Sequence, residues 1–196
     1  MAAQGNTTLD EIEADIWSVL ARATHDRHSG FRWVSLASVS ENGGPQVRTL
    51  VLRRVCKATQ QFTMFTDSRS QKVAELTANS AASLLFFDRK SMVQIRASGD
   101  ATVDRASDRW REERSSLSEA SLSDYRSVQS PGTPIAVPNQ AATEDKSIDL
   151  TDLGLHFAMI VFQVRTIDWL SLSRTGHRRA VFRYIDDART AGWLTP

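Results

Sequence analysis

The chain has 196 residues, 41% of them hydrophobic and 24% charged, which is enough to bury one substantial core without disulfides or metals. Its formal net charge of +1 provides no overall field that would attract nucleic acid or an anionic membrane. The single cysteine, Cys56, cannot form an internal disulfide, the N-terminus shows no leader pattern, and no apolar run reaches the ~18 residues of a membrane span. We therefore expect one soluble domain over residues 1–196, located in the cytoplasm.

The first regular element predicted is an amphipathic helix over residues 8–23. Thr8 followed by Glu11 has the spacing of a capping box, in which each side chain accepts from a backbone N–H of the other's turn. Apolar residues then recur at helical spacing, as at Ile12, Ile16 and Leu20. This helix is predicted to cover one end of a core.

Residues 31–103 are predicted to form the core of a β-barrel. Short runs rich in β-branched and aromatic residues alternate with turn clusters, and only one short helix interrupts them. Consecutive strands at such short spacing favour a closed antiparallel barrel over a βαβ sheet. The strands are predicted over residues 31–39, 46–55, 62–66, 81–87 and 91–103, with the helix over 68–77.

An irregular excursion separates this block from the C-terminal strands. Residues 104–152 are predicted to begin as a charged helix, over 104–117, and to continue as a serine- and proline-rich surface segment. Residues 157–196 alternate again and are predicted to contain three strands, over 157–164, 167–172 and 177–184. The fold class expected is mainly β, a barrel with peripheral helices.

Polar side chains gather at the predicted strand-to-helix junction, residues 65–72. Thr66, Ser68 and Ser70 offer hydroxyl groups, Lys72 offers a positive charge, and the opening turn of the helix offers backbone N–H groups. A helix N-terminus with such neighbours is a ready anion site. The alternative is an ordinary N-cap with solvated neighbours.

Arg48 and Arg53 on the preceding strand bear on the same question, since arginine suits bidentate recognition of phosphate. The two positions have opposite parity, so a straight strand would direct them to opposite faces. They could serve one ligand only through a β-bulge, a strand end or a site at a subunit boundary. The alternative is two solvated arginines on the rim of a plain structural barrel.

The order of these motifs resembles the pyridoxamine 5′-phosphate oxidase family of FMN-binding split β-barrels. The matching pieces are R-x-x-x-x-R from Arg48 to Arg53, F-T-D-x-x-S-Q-K over residues 65–72, Q-x-x-x-x-G from Gln94 to Gly99, and IDWLSLSRTGHRRAVFRY followed by W-L-x-P. The resemblance implies an FMN cofactor and an oxidoreductase in which a small, possibly phosphorylated amine or alcohol gives a hydride to FMN and dioxygen reoxidises it. It also implies a homodimer with FMN at the subunit interface.

The resemblance further implies which residues hold the cofactor. The phosphate contacts are Arg48, Arg53, Gln71 and Lys72, and backbone or hydroxyl contacts come from Phe65 and Thr66. Gln94 would hydrogen-bond the ring or the ribityl chain, and the partner subunit would contribute Gln129, Trp169 and Arg179.

The set of substrate residues implied by the resemblance matches the family less completely than the set of cofactor residues. They are Arg53, Trp110, Arg114, Ser118 and His177, with Arg114 and His177 as the candidates for catalytic contact. Trp110 stands where the family has a tyrosine, and Thr175 stands where its active oxidases have an arginine. A lost arginine removes a charge-assisted contact, so the sequence predicts FMN binding more firmly than oxidation of pyridoxamine or pyridoxine phosphate. An FMN-dependent reductase of another substrate, or a non-catalytic flavin-binding or sensing module, are the alternatives.

Other chemistries are not indicated by the sequence. His25 and His28 have a metal-like spacing, but no cysteine or carboxylate cluster joins them, so we predict no metal. His177 begins a short basic run, but no aromatic–basic interleaving supports nucleic acid as a partner. The sequence has no dinucleotide fingerprint and no Walker motif.

Overall fold

A closed six-stranded antiparallel barrel forms the body of the molecule in the computed structural model. The structure describes residues 7–127, 129–136, 154, 156–186 and 188–196. Within them the sheet order is β3-β2-β1-β4-β5-β6-β7-β8, and pairing of β3 with β6 closes the ring. The strands are β1 Trp33–Val39, β2 Pro45–Cys56, β3 Gln61–Asp67, β4 Ala81–Asp88, β5 Val93–Asp104, β6 Phe157–Ser171, β7 Arg178–Ile185 and β8 Ala188–Leu194. The predicted fold class is confirmed.

Within the described residues, four α-helices and one short 3₁₀ turn accompany the strands of the barrel. The predicted capping box is present at the first helix, where the Thr8 hydroxyl accepts from the backbone N–H of Glu11 and the Glu11 carboxylate accepts from the backbone N–H of Thr8. Among these helices none is long and apolar enough to cross a membrane. They are α1 Leu9–Ala23, α2 Gln71–Ala78, α3 Asp108–Ser116 and α4 Glu119–Ser123, with a 3₁₀ turn at Gly30–Arg32.

The first helix closes one end of the barrel over an aromatic core. The Trp17 ring lies 5.3 Å from that of Phe62, and its indole N–H donates to the Tyr184 hydroxyl at 3.1 Å. Tyr184 in turn donates to Glu13 at 2.6 Å, and Arg189 of β8 forms an ion pair with Glu13 at 2.8 Å. The predicted role of this helix as the cover of a core is therefore confirmed.

The C-terminal strands differ from the prediction in one respect. The predicted strands 157–164 and 167–172 are one strand, β6, because a bulge at Arg165 lets the pairing with β5 continue on both sides of it. Gly99 lies opposite this bulge, and a Cβ atom there would come within 1.9 Å of the Gln163 carbonyl oxygen. Because Gly99 has no side chain, β5 and β6 can approach closely at this point. Beyond it, β6 leaves the barrel wall and pairs with β7. The last strand, β8, has no counterpart in the prediction.

The helices that follow β5 also differ from those expected, in the start of α3 and in the presence of α4. β5 continues to Asp104, so α3 begins at Asp108, where the Ser107 hydroxyl accepts from the backbone N–H of Trp110 at 3.0 Å. The segment predicted to be irregular contains the short helix α4 directly after α3. Residues 128 and 137–152 of the predicted excursion lie outside the described residues.

Candidate functional site

A cationic cluster lies where β3 leads into α2, formed by Arg48, Thr66 and Lys72. The Lys72 ammonium donates to the Thr66 hydroxyl at 3.1 Å. Burial lowers the pKa of Lys72, and the nearby positive charge of Arg48 lowers it further, against the opposing carboxylates of Asp67 and Glu75. The structure therefore brings together three of the residues predicted to hold the cofactor, of which Arg48 and Lys72 were predicted to contact its phosphate.

The junction itself leaves the first turn of α2 open for an anion. The Ser70 hydroxyl donates back to the Asp67 carbonyl at 2.7 Å and makes no cap hydrogen bond to the helix. Asp67 is buried, but its hydrogen bonds from the backbone and side chain of Arg69 hold its pKa below the usual value. This turn starts α2 at Gln71 instead of residue 68, and Gln71 lies exposed at its N-terminus.

Glu75 is a component of this site that the sequence analysis missed. It is 4% exposed, and its Oε2 accepts from Arg48 Nη2 at 2.7 Å and from the Ser38 hydroxyl at 2.6 Å. Its other oxygen, Oε1, is buried without a hydrogen-bond partner in the part of the chain that the structure describes. Its position in the sequence could have indicated this role, because Glu75 follows Lys72 by three residues and residues at that spacing lie on one side of a helix.

A β-bulge in β2 separates the two predicted arginines. Leu52 pairs with Met64 and Arg54 with Thr63, so Arg53 is the extra residue. The sequence left a bulge open as one way in which Arg48 and Arg53 could share a ligand. The Arg53 guanidinium lies over the ring of Phe65, 5.4 Å from its centroid. Because Phe65 directly precedes Thr66 on β3, Arg53 and the cationic cluster flank the same strand end on its two faces.

Phe65 belongs to an aromatic cluster centred on Phe157, which we call the Phe157 cluster. The Phe157 ring lies 5.0 Å from Phe65, 6.1 Å from Trp110 and 5.3 Å from Tyr125 between centroids. The Arg114 guanidinium lies over Trp110, 5.7 Å from its centroid. Arg53 and Arg114 therefore lie over rings of one cluster, whose surface we call the aromatic platform. Three predicted substrate residues, Arg53, Trp110 and Arg114, lie together there.

Helix α3 is fixed to β2 by an ion pair beside this platform. Glu113, 6% exposed, pairs with Arg54, and the predicted substrate residues Arg114 and Arg53 are their respective chain neighbours. Ser118 lies apart from the rings: it is exposed and serves as the N-cap of α4, where its hydroxyl accepts from the backbone N–H of Ser121 at 3.3 Å.

Gln94 and Arg179 lie on one face of the sheet. Leu170 of β6 pairs with Gln94 on one side and with Arg179 on the other, so all three project to the same face. Arg179 forms a bidentate ion pair with Asp168, at 3.0 and 2.7 Å, and Arg96 reaches the same carboxylate at 2.6 Å. Burial opposes ionisation of Asp168, but the two guanidiniums hold its pKa below the usual value.

Trp169 projects to the opposite face, towards the barrel interior, and is 8% exposed. The Arg178 guanidinium lies between its ring and that of Trp193, 5.5 and 5.6 Å from the two centroids. The sequence analysis did not single out Arg178 for this site. Within one chain, Trp169 and Arg179 therefore cannot contact a ligand from the same side of the sheet.

The remaining predicted residues lie apart from the cationic cluster. Gln129 is exposed. His177 lies in the turn before β7, and its Nδ1 accepts from the backbone N–H of Ser173 at 3.1 Å. No contact given by the described residues joins Gln129 or His177 to Arg48 or Lys72. Within the part of the chain that the structure describes, no group of three or more His, Cys, Asp or Glu side chains could hold a metal.

Comparison with known proteins gives a consistent picture. Residues 14–105 match the family model described as "Pyridoxamine 5′-phosphate oxidase, FMN-binding domain". A pyridoxine/pyridoxamine 5′-phosphate oxidase of Hyphomonas neptunium is 36% identical over 83 residues, which cover 42% of this chain and only 36% of that enzyme. This match therefore spans about a third of the relative's length.

Two solved structures share the whole fold. One is a pyridoxamine 5′-phosphate oxidase-related, FMN-binding protein of Nostoc punctiforme, with a TM-score of 0.77, 23% identity and coverage of 97% of this chain and all of that one. The other is PhzG of Burkholderia lata in complex with tetrahydrophenazine-1-carboxylic acid, with a TM-score of 0.72, 17% identity and coverage of 98% and 95%. At these identities the likeness establishes the fold.

Proposed function

We propose that the chain is an FMN-dependent oxidoreductase, because residues 14–105 match the family model of the FMN-binding domain of pyridoxamine 5′-phosphate oxidases. Its substrate would be a small amine or alcohol that bears an anionic group. Bound FMN would supply the acceptor for a hydride from the carbon that carries the amine or hydroxyl. Dioxygen would then reoxidise the flavin and would itself be reduced to hydrogen peroxide. The observation that carries the proposal is the cationic cluster at the N-terminus of α2.

The cationic cluster has the donors that a phosphate monoester requires. Lys72 supplies a charge, Thr66 a hydroxyl, and the first turn of α2 supplies amide groups that Ser70 does not cap. Two of the donors of Arg48 are taken by Ser38 and Glu75, and a guanidinium has five. Glu75 thus holds the guanidinium in place and leaves its other N–H groups for the phosphate.

An exposed apolar face supports a homodimer as part of the proposal. Trp33 and Val47 are 57% and 67% exposed, and Leu85 and Phe87 are 39% exposed each. All four project from the outer face of β1, β2 and β4, and Phe87 pairs directly with Gln94. Several large apolar side chains exposed on one face of a sheet are typical of a protein–protein contact. A second copy seated there would bring its own Trp169, Arg179 and Gln129 towards the flavin from another direction.

The substrate side of the proposal rests on the Phe157 cluster. Arg53 and Arg114 would bind the anionic group, and His177 from the partner subunit would contact the reacting end. Thr175 bears a neutral hydroxyl where an arginine is implied, and it cannot make the charge-assisted contact. Thr175 therefore favours a substrate other than pyridoxamine or pyridoxine phosphate, and an FMN-dependent reductase is the second candidate on the same observation.

The first test is whether the chain binds FMN through this cluster. Purified protein loaded with FMN should show flavin absorption in the visible range and a raised melting temperature, because the ligand binds only the folded state. Lys72→Gln should weaken FMN binding at least about tenfold, the order expected for one charge-assisted hydrogen bond. The matched control is Lys57→Gln, which removes an exposed lysine from the turn after β2.

Two outcomes would count against the proposal. A colourless protein without any thermal shift in FMN would exclude flavin binding, and equal losses in the two lysine variants would exclude the α2 site. Turnover is scored separately, as hydrogen peroxide and pyridoxal phosphate formed from pyridoxamine phosphate. A bound flavin that only a nicotinamide donor reduces would identify a reductase, and one that no donor reduces would identify a non-catalytic module.

A further inference from the structure

The Phe157 cluster contains a phenol that no sequence motif singled out. Tyr125 follows α4 in a turn, and its ring meets Phe157 edge-on at 5.3 Å and 70°. The side chain is half-buried. In the described part of the chain its hydroxyl has no hydrogen-bond partner, although the ring is fixed.

Trp110 cannot supply a polar group to a ligand on this platform. Its indole N–H, the only donor of that side chain, is donated to the Phe157 carbonyl at 3.1 Å. Its ring is stacked on Phe157 at an angle of 28°, and the Arg114 guanidinium lies 5.7 Å from its centroid. Tryptophan at this position therefore contributes a flat apolar wall and no hydrogen bond.

Tyr125 lies within the electrostatic reach of Arg53. Burial raises the pKa of the phenol, and the charge of Arg53 acts in the opposite direction. The phenol therefore stays protonated at neutral pH and can act as a donor. Arg53 lies over Phe65 and Arg114 over Trp110, two rings of the same cluster, and their chain neighbours Arg54 and Glu113 form an ion pair.

We propose that the hydroxyl of Tyr125 binds the anionic group of the substrate together with the guanidiniums of Arg53 and Arg114. The inference rests on the proposed function and names the donor of its substrate site. The ligand that fits is a flat aromatic ring bearing an oxyanion, either a phosphate or a carboxylate. The ring stacks on the aromatic platform, the guanidiniums form bidentate bonds with the oxyanion, and the phenol donates a further bond to it.

The test uses FMN-loaded protein and two probes that cannot be oxidised, phenyl phosphate and benzoate, with binding measured by calorimetry. Tyr125→Phe keeps the ring on Phe157 and removes only the hydroxyl. It should weaken binding of the preferred probe about tenfold, the order expected for a hydrogen bond to a charged group. The matched control is Tyr184→Phe, which removes the other tyrosine hydroxyl of the chain, buried under α1, and should leave probe affinity unchanged.

The two probes decide which oxyanion the site prefers, and either preference agrees with the proposal. Unchanged affinity in Tyr125→Phe would overturn it, as would a failure of both probes to bind the wild-type holoprotein. A loss in Trp110→Phe without a loss in Tyr125→Phe would assign the donor to the indole instead. FMN content is measured on every sample, so a protein that retains flavin but shows no effect at Tyr125 contradicts this inference alone.

Discussion

Lys72 lies between charges of both signs, and this makes the proposed phosphate site sensitive to pH. Burial and Arg48 lower its pKa, whereas Asp67 and Glu75 oppose that change. A lysine binds an anion only when protonated, so affinity falls as the pH rises through the lowered pKa. The fall should therefore begin below the ordinary lysine value of about 10.4.

We predict that the FMN dissociation constant of the wild type begins to increase below the ordinary lysine pKa as the pH rises, while that of Lys72→Arg stays nearly constant, since arginine keeps its charge. Fluorescence titration of FMN at a series of pH values measures both curves. Parallel curves for the two proteins would show that a group other than Lys72 controls the pH dependence.

Individual residues also show where reasoning from sequence succeeds and fails. The motif predicted that Arg48, Thr66 and Lys72 lie together, because a strand end, a helix start and their side chains are local features of the chain. Glu75 was missed, because its partner Arg48 lies 27 residues away on a different element. Tyr125 was missed for the same reason, since its position depends on packing against Phe157.

At the level of secondary-structure elements, two bulges shape the site. The bulge at Arg53 accompanies its position over Phe65, on the face of β3 opposite the cationic cluster, and the bulge at Arg165 carries β6 from the barrel towards β7. Neither bulge is visible in hydrophobic periodicity, because each depends on how the partner strand is aligned. The split of β6 into two predicted strands came from the polar residues around this second bulge.

Gly99 provides a test of the β6 bulge. Ala at this position would bring Cβ within 1.9 Å of a backbone carbonyl oxygen of residue 163, and the strands would have to separate. We expect Gly99→Ala to lower the free energy of unfolding by about 3 kcal/mol or more, as overpacking against a rigid neighbour does. Gly192→Ala is the control, because nothing lies within 4 Å of a Cβ there. Urea denaturation measures both, and similar stabilities would show that the bulge accommodates a side chain.

On the scale of the whole molecule, the exposed apolar face is the feature that one chain leaves unexplained. Leu85 lies on this face, between Ser35 on β1 and Arg96 on β5. We propose that a second copy covers this face and completes the flavin site, since the described residues show no contact of Gln129, Trp169 or Arg179 with the cationic cluster of the same chain.

Leu85→Lys should therefore convert the proposed dimer into a monomer and reduce FMN binding at least about tenfold, because a buried, unpaired ammonium group beside Arg96 costs several kcal/mol at an interface. Sedimentation equilibrium and FMN titration measure the two effects. Ile185→Lys is the control: this residue is 58% exposed at the end of β7, outside the apolar face. A wild type that sediments as a monomer yet binds FMN would contradict the shared site.

The sequence by itself determined the mainly β barrel, the capped N-terminal helix, the family resemblance and the position of the cationic cluster. These depend on local periodicity, capping and motif spacing, which a single chain segment carries. Only the tertiary structure decided that a bulge offsets Arg53 from Arg48, that Glu75 holds Arg48, and that Trp110 donates its N–H to Phe157. Each of these is a contact between residues far apart in the chain, such as the 47 positions between Trp110 and Phe157, and no local pattern encodes such a pairing.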